Sequence, residues 1–321
     1  VRRRHFLSPL RAHMVNRDPL SWLAWVLFLA VAPLLLGIVN KLKARLSGRF
    51  GATVFQPYYE LLRLARKETV YSTSAGFITR IAPVIVWSTI AFATLLLPLG
   101  RSAPISFSGD IILFAYLLAL GRFFQILAAL DVASSFEGMG ASREARFAVF
   151  AEPIFFFTIG SLAIVTRSYS FATILGRISW GDPLFLVFVC VGVLSLFFLM
   201  MAECSRMPVD DPNTHLELTM IHEVMILDAS GIDLMLYQHA ASLKLLLYAS
   251  LTALLLNPFG VLGLAAGAAL FIATLLALAT ALALVETLMA RFRLVLVPQF
   301  LLFATAIGVL NILIFTFSRR S

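Results

Sequence analysis

Residues 183–223 read PLFLVFVCVGVLSLFFLMMAECSRMPVDDPNTHLELTMIHE. An unbroken apolar run ends at Glu203, and a dense set of ionisable groups follows: Arg206, Asp210, Asp211, His215, Glu217, His222 and Glu223. Such a run crosses a bilayer as a helix, which takes about 20 residues. Charges this close to hydrocarbon persist only where they pair, line water or move protons.

The rest of the chain repeats the pattern. Of its 321 residues, 60% are hydrophobic and 13% charged, against about 25% charged in soluble domains. Lipid leaves backbone polar groups unsatisfied except in helices and closed barrels. The expected fold is therefore all-α: a polytopic bundle of about eight transmembrane helices in a single domain, 1–321, with a polar, basic tail over 1–20. The eight apolar runs fall at roughly 21–39, 79–98, 110–130, 146–166, 183–204, 240–257, 260–289 and 298–317. A tight connection is expected at Asn257–Pro258–Phe259–Gly260. The tail, with Arg2, Arg3 and Arg4, lacks a cleavage-like pattern and reads as retained.

Several classes fall away. There is no glycine-rich phosphate loop. Cys190 and Cys204 are too few and wrongly spaced for an iron–sulfur or zinc site and read as apolar filler. The net charge of +8 fits membrane-flanking Arg and Lys rather than a nucleic-acid partner. Basic residues favour cytoplasmic loops after spans 1, 3, 5 and 7, although the basic N-terminal tail argues the other way. Acids are also concentrated on that odd-loop face, which suits docking of a soluble partner.

Two segments look amphipathic without spanning. Phe55, Tyr58, Tyr59 and Leu62 share a helical face beside Arg63, Arg66 and Lys67, as in a helix lying in the membrane interface. From Leu216 to Leu227, Met220, Val224 and Leu227 would oppose His215, Thr219, His222 and Glu223 on a second helix. Between spans 3 and 4, Gly138 and Gly140 suggest an irregular loop, with Asp131, Glu137, Arg143 and Glu144 as its docking charges.

Five charges lie inside or at the ends of spans: Arg122, Glu152, Glu203, Lys244 and Glu286. At about 1.5 Å per residue, Arg122 and Glu152 have similar depths and make a natural pair. The five read either as a static ion-pair network or as a hydrated half-channel whose carboxylates exchange protons. Three acids against two bases favour the second, because an uncompensated carboxylate in low dielectric titrates near neutrality. His215 and His222, seven residues apart, share a helical face and suit a proton relay; His5, His13 and His239 read as interfacial or solvated. On this reading Glu203→Gln assembles normally but loses coupling.

At these residues the chain resembles a known family: the membrane protein of respiratory complex I known as subunit 1, and more closely the formate hydrogenlyase subunit 4 branch of membrane-bound [NiFe] hydrogenases. The complex I spacing of Glu, Arg, Pro and Asp is matched by Glu203, Arg206, Pro208 and Asp210. The hydrogenase branch is similar at Tyr71–Thr73, Gly138–Glu144, Ala151–Pro153, Val209–Pro212, His215–Glu223 and Asp228–Gly231. Asn213 and His215 stand where complex I has further glutamates, and Val209 where it has Phe. The resemblance covers about 20–320.

What the resemblance implies is a non-catalytic membrane anchor of an energy-converting oxidoreductase in the inner (plasma) membrane. It would hold no cofactor of its own. Hydrogenase-like large and small subunits and an iron–sulfur subunit would carry [NiFe] and iron–sulfur clusters, beside antiporter-like membrane subunits. Glu152, Glu203, Asp210, Asp211, Glu217, Glu223 and Glu286, with His215 and His222, would form the proton path; Arg122, Arg206 and Lys244 would be their charge partners. The alternatives are the quinone-site subunit of a complex I-like dehydrogenase and a stand-alone ion transporter.

Overall fold

The computed structural model describes residues 18–99, 102–178, 183–210, 220–257 and 263–318. Asp211, His215 and Glu217, the two N-terminal histidines and most of the expected 257–260 turn lie outside the described residues.

Among the described residues, ten α-helices follow one another: α1 Pro19–Leu46, α2 Gln56–Ala65, α3 Phe77–Leu95, α4 Asp110–Asp131, α5 Ser135–Thr166, α6 Phe171–Gly176, α7 Pro183–Glu203, α8 Gly231–Leu255, α9 Leu264–Leu288 and α10 Val297–Ser318. Seven of them are long and apolar enough to cross a membrane, so the chain is a multi-pass membrane protein. The remaining long helix, α8, matches the expected sixth span but is less apolar, because it carries Asp233, Gln238, His239 and Lys244. Its position explains this. Every residue from Leu245 to Leu255 is buried, and α8 packs against α1, α2, α3, α7 and α9. A helix wrapped by protein has no need of a lipid-facing apolar surface. Two of its hydroxyls bond to the helix's own backbone: Ser242 donates to the Gln238 carbonyl at 3.0 Å and Thr252 to the Tyr248 carbonyl at 2.9 Å.

Local chemistry sets the helix ends. Pro19 opens α1 at a position where a missing N–H is harmless. Asp131, the last residue of α4, accepts from the Thr79 amide and hydroxyl at 2.9 and 2.8 Å, so it caps the first turn of α3. At the other end of α4, buried Asp110 accepts from the Ser170 hydroxyl at 2.8 Å and the Phe171 amide at 2.9 Å, which holds the start of α6. Pro33, Pro83 and Pro153 sit inside α1, α3 and α5, as membrane helices tolerate when neighbours re-satisfy the freed backbone.

Two expectations change. The glycine-bearing segment is helical rather than an irregular loop: α5 begins at Ser135 and runs unbroken to Thr166. Gly140 serves close packing there, since a Cβ would sit 2.3 Å from Val224 Cγ1 and 3.1 Å from the Ile221 carbonyl oxygen. The second amphipathic helix does not form over its described part. Residues 220–222 are irregular and Glu223–Ile226 is a single 3-10 turn. Val224 and Met220 are buried against α5 while Leu227 is exposed, so no helical stripe exists. The first amphipathic segment does form a helix, α2.

Gly37 lets residues 51–55 cross α1 at close range. A Cβ there would lie 1.9 Å from the Val54 carbonyl oxygen. Gly37→Ala is expected to destabilise the purified protein by about 1–3 kcal/mol through overpacking. Gly138→Ala, with nothing within 4 Å of its Cβ, should not lower stability. Thermal unfolding in detergent checks the pair, and equal midpoints for the two variants would refute the crossing.

Candidate functional site

Arg122 on α4 is the hub. Its Nε lies 3.2 Å from Glu144 Oε1 and its Nη1 3.0 Å from Glu152 Oε1, both on α5, and its Nη2 pairs with Glu203 at the end of α7. The other oxygen of Glu203 meets Lys244 Nζ of α8 at 2.8 Å. The other oxygen of Glu144 meets His222 Nε2 at 3.1 Å. His222 Nδ1 lies 3.7 Å from Asp210, whose second oxygen pairs with Arg291 at 2.8 Å. A chain of alternating charge thus runs Glu152–Arg122–Glu144–His222–Asp210–Arg291, with a branch through Glu203 to Lys244. Close by, Glu286 on α9 takes Lys43 and Arg206, each at 3.3 Å.

The expected pairing of Arg122 with Glu152 is present. The expected acid excess is not. Among the described residues, five carboxylates (Glu144, Glu152, Glu203, Asp210 and Glu286) meet Lys43, Arg122, Arg206, Lys244, Arg291 and His222. Counting only charges inside apolar runs omitted Lys43, Arg206 and Arg291, which reach in from helix ends and loops.

The four docking charges are also relocated. Asp131 caps α3, Glu137 accepts from the Asp228 amide at 3.0 Å, and Arg143 donates to the Met220 carbonyl at 2.6 Å. Glu144 joins the ion-pair chain. Glu137 and Glu144 are buried rather than presented to a partner. Glu137, Gly140 and Glu144 recur at helical spacing on one face of α5, a signal that an irregular loop assignment hides. His239 is likewise not solvated: it accepts from Trp87 Nε1 at 2.8 Å and lies 3.2 Å from the Leu29 carbonyl oxygen.

His222 is the titratable link outside the spans. Burial alone would push its pKa down, but the Glu144 charge and the contacts to Asp210 and Glu144 hold it up at about 9. The imidazolium carries an N–H on each ring nitrogen, and a carboxylate lies on each side of the ring, Glu144 at 3.1 Å and Asp210 at 3.7 Å. Burial pushes Asp210 up, yet His222, Arg291 and the amides of Ile221 and His222, each at 3.1 Å, keep its carboxyl below the ordinary range.

Three cavities touch this network. One of about 260 Å³ lies among α1, α2, α3 and α8 and is lined by Glu203, Arg206, His222, Glu223 and Lys244 among others. A second, of about 210 Å³, lies between α4, α5, α7 and α8 and reaches Arg122, Glu152, Glu203 and Tyr248. A third, of about 20 Å³, sits between Glu144, Glu203 and His222, enough for one water. Glu203 lines all three. Among the described residues, no group of three or more His, Cys, Asp and Glu side chains is arranged to hold a metal.

The fold and site define a multi-pass membrane protein with an internal chain of ion pairs joining its helices. The sequence model of the family described as NADH dehydrogenase matches residues 20–316, and the chain belongs to that family. It is 32% identical over 238 residues to hydrogenase-4 component C of Escherichia coli (strain K12), covering 73% of this chain and 74% of that one. It is 31% identical over 288 residues to formate hydrogenlyase subunit 4 of the same organism, covering 86% and 91%. Among solved structures, a chain of the membrane-bound sulfane sulfur reductase, an archaeal respiratory membrane complex, superposes with a TM-score of 0.78 at 19% identity, over 91% of this chain and 97% of that one. At that identity the likeness speaks for the fold.

Two consequences are measurable. Glu203 faces two cations at a side-chain exposure of 4%, so Glu203→Gln leaves buried positive charge uncovered. It is expected to cost about 3–5 kcal/mol, contrary to the normal assembly expected from sequence, and adding Lys244→Met should recover part of the loss. Thermal unfolding of the single and double variants decides this; a Glu203→Gln variant as stable as the parent would refute it. For His222, a folded-state pKa raised to about 9 gives stability that is full below its ordinary value of 6.5 and is lost as pH rises through about 9. Unfolding midpoints of the parent should therefore fall more steeply between pH 7 and 10 than those of His222→Gln; parallel curves would exclude the imidazolium.

Proposed function

We propose that this chain is the membrane anchor and proton-path subunit of an energy-converting oxidoreductase of hydrogenase type. The observation that carries the reading is the continuous run of titratable groups from Glu152 to Asp210, tied through Glu203 to three cavities. Membership of this family and the two Escherichia coli relatives, both named as hydrogenase or formate hydrogenlyase components, support it.

Each carboxylate in the run faces a cation at rest. Proton uptake requires a partner to withdraw. His222 and Asp210 belong to the 204–222 stretch, and the arm carrying [NiFe] and iron–sulfur clusters is placed against that face, with the odd-numbered loops in the cytoplasm. A shift of His222 away from Glu144 would raise the carboxylate's proton affinity and let it take up a proton, which water would then carry past the permanently protonated Arg122 to Glu152. The Glu152 side chain is 49% exposed, which supports it as the point where the charge would pass to antiporter-like subunits of the inner membrane. Asp211, His215 and Glu217 join this path as sequence-based assignments.

A second reading has its own observation. The cavity of about 260 Å³ beside Arg206 and Lys244 is large enough for part of a lipophilic ligand, as the quinone-site alternative requires. Electron transfer that depends on added quinone would favour it.

The test is the intact complex in proteoliposomes, comparing the parent with Glu152→Gln. Gln keeps a hydrogen bond to Arg122, and the half-exposed position tolerates it. Subunit composition and electron transfer should persist while proton movement per electron falls by about tenfold or more, as when a positioned proton-transfer group is removed. Unchanged proton movement would remove Glu152 from the path.

A further inference from the structure

Residues 41–68 contain seven Lys and Arg (Lys41, Lys43, Arg45, Arg49, Arg63, Arg66 and Lys67) and two acids, Glu60 and Glu68. Internal contacts use two of the cations: Lys43 pairs with Glu286, and Lys41 donates to the Phe50 carbonyl at 2.6 Å. Among the described residues, Arg45, Arg49, Arg63, Arg66 and Lys67 form no ion pair, and all five are exposed. Glu60 is engaged by Gln56 at 3.1 Å.

The apolar side chains around these cations point away from the bundle. On α2, Pro57 and Leu64 are buried, and Pro57, Glu60 and Leu61 line the larger cavity. The opposite stripe carries Phe55 at 57% exposure, Tyr59 at 61% and Leu62 at 56%, with Arg66 on the same stripe and Arg63 on its flank. Phe50, in the preceding turn, is 96% exposed.

The depth of this surface follows from α1. Tyr58 donates to the Ala30 carbonyl at 2.6 Å, and Val54 crosses α1 at Gly37. The entry to α2 at Val54 therefore lies beside the last apolar turn of α1, just before α1 turns basic at Lys41, Lys43 and Arg45, while the Tyr58 ring reaches deeper along α1 to Ala30. That is the boundary between acyl chains and headgroups. Aromatic rings are at home there, and long cationic side chains extend from it to phosphate.

We propose that α2 and the basic turn preceding it form a binding site for anionic phospholipids. Phe55, Tyr59 and Leu62 rest on the acyl chains, while Arg63, Arg66 and Lys67, with Arg45 and Arg49, meet the headgroup phosphates. The occupant is the bilayer and not a protein, because the surface pairs uncompensated cations with apolar rings at interfacial depth. The bound lipid presses α2 against the bundle and so braces one wall of the larger cavity. This inference stands independently of the proton-path reading.

The experiment uses the intact complex bearing Arg63→Gln, Arg66→Gln and Lys67→Gln together. Native mass spectrometry after titration with phosphatidylglycerol or phosphatidylcholine reads binding. The parent should retain phosphatidylglycerol over phosphatidylcholine, and the triple variant should bind phosphatidylglycerol roughly a hundredfold more weakly, given the usual contribution of each basic residue near an anionic surface. Inorganic phosphate at the same concentration should not compete. Folding of the variant is read separately from its unfolding midpoint in phosphatidylcholine nanodiscs, which should match the parent's; only the parent's midpoint should rise in phosphatidylglycerol. A photoreactive residue at position 59 should crosslink to lipid. Equal retention of both lipids by the parent, undiminished phosphatidylglycerol binding by the variant, competition by free phosphate, or a crosslink to another subunit would each overturn the proposal.

Discussion

A guanidinium buried among apolar helices is tolerable only with several carboxylates around it. Arg122 has three, from two helices, and that requirement organises the centre of the molecule. Glu144 and Glu152 are eight residues apart on α5, so binding both fixes the rotation of α5 against α4. Glu203 fixes the depth at which α7 ends. Through Lys244 the same carboxylate ties α8, and through Glu144 and His222 the tie reaches the loop after α7. Because Arg122 and Glu203 are each shared between helices, these pairs hold α4, α5, α7 and α8 in a single register.

On the proposed reading the same arrangement would let a balanced network act, because displacing His222 would change the partners of Glu144. Gly140 and Arg143 hold residues 220–225 close to α5, the helix that also carries Glu152, so a displacement there would reach it. Two large cavities meet at Glu203, a carboxylate held by two cations, so water or a ligand on either side would touch it.

The spans were readable because hydrocarbon imposes length and apolarity directly on the sequence. The pairing of Arg122 with Glu152 followed from depth alone, since rise per residue is constant. The other links were hidden for physical reasons. Arg291 and Lys43 enter the network from outside the apolar core, where a charged residue carries no signal of burial. Glu144 was masked by neighbouring glycines, which suggest a loop when read locally but permit helix-to-segment contact at Gly140. The irregular path of 220–227 reflects competition that periodicity cannot see: the amides of Ile221 and His222 are taken by Asp210 and cannot continue a helix.

The polar character of α8 has a consequence for how the protein is made. A segment bearing Asp233, Gln238, His239 and Lys244 partitions poorly into lipid by itself. Its favourable environment consists of helices already in place, notably α1, α3 and α7, which precede it in the chain and pack on it. α8 is therefore expected to enter the membrane as part of an assembled group of helices, and damage to α1 or α3 would be felt first as a failure to insert a helix made later. Stability and topology are in this sense one property of this chain: the bundle supplies the solvent in which its central helix is soluble.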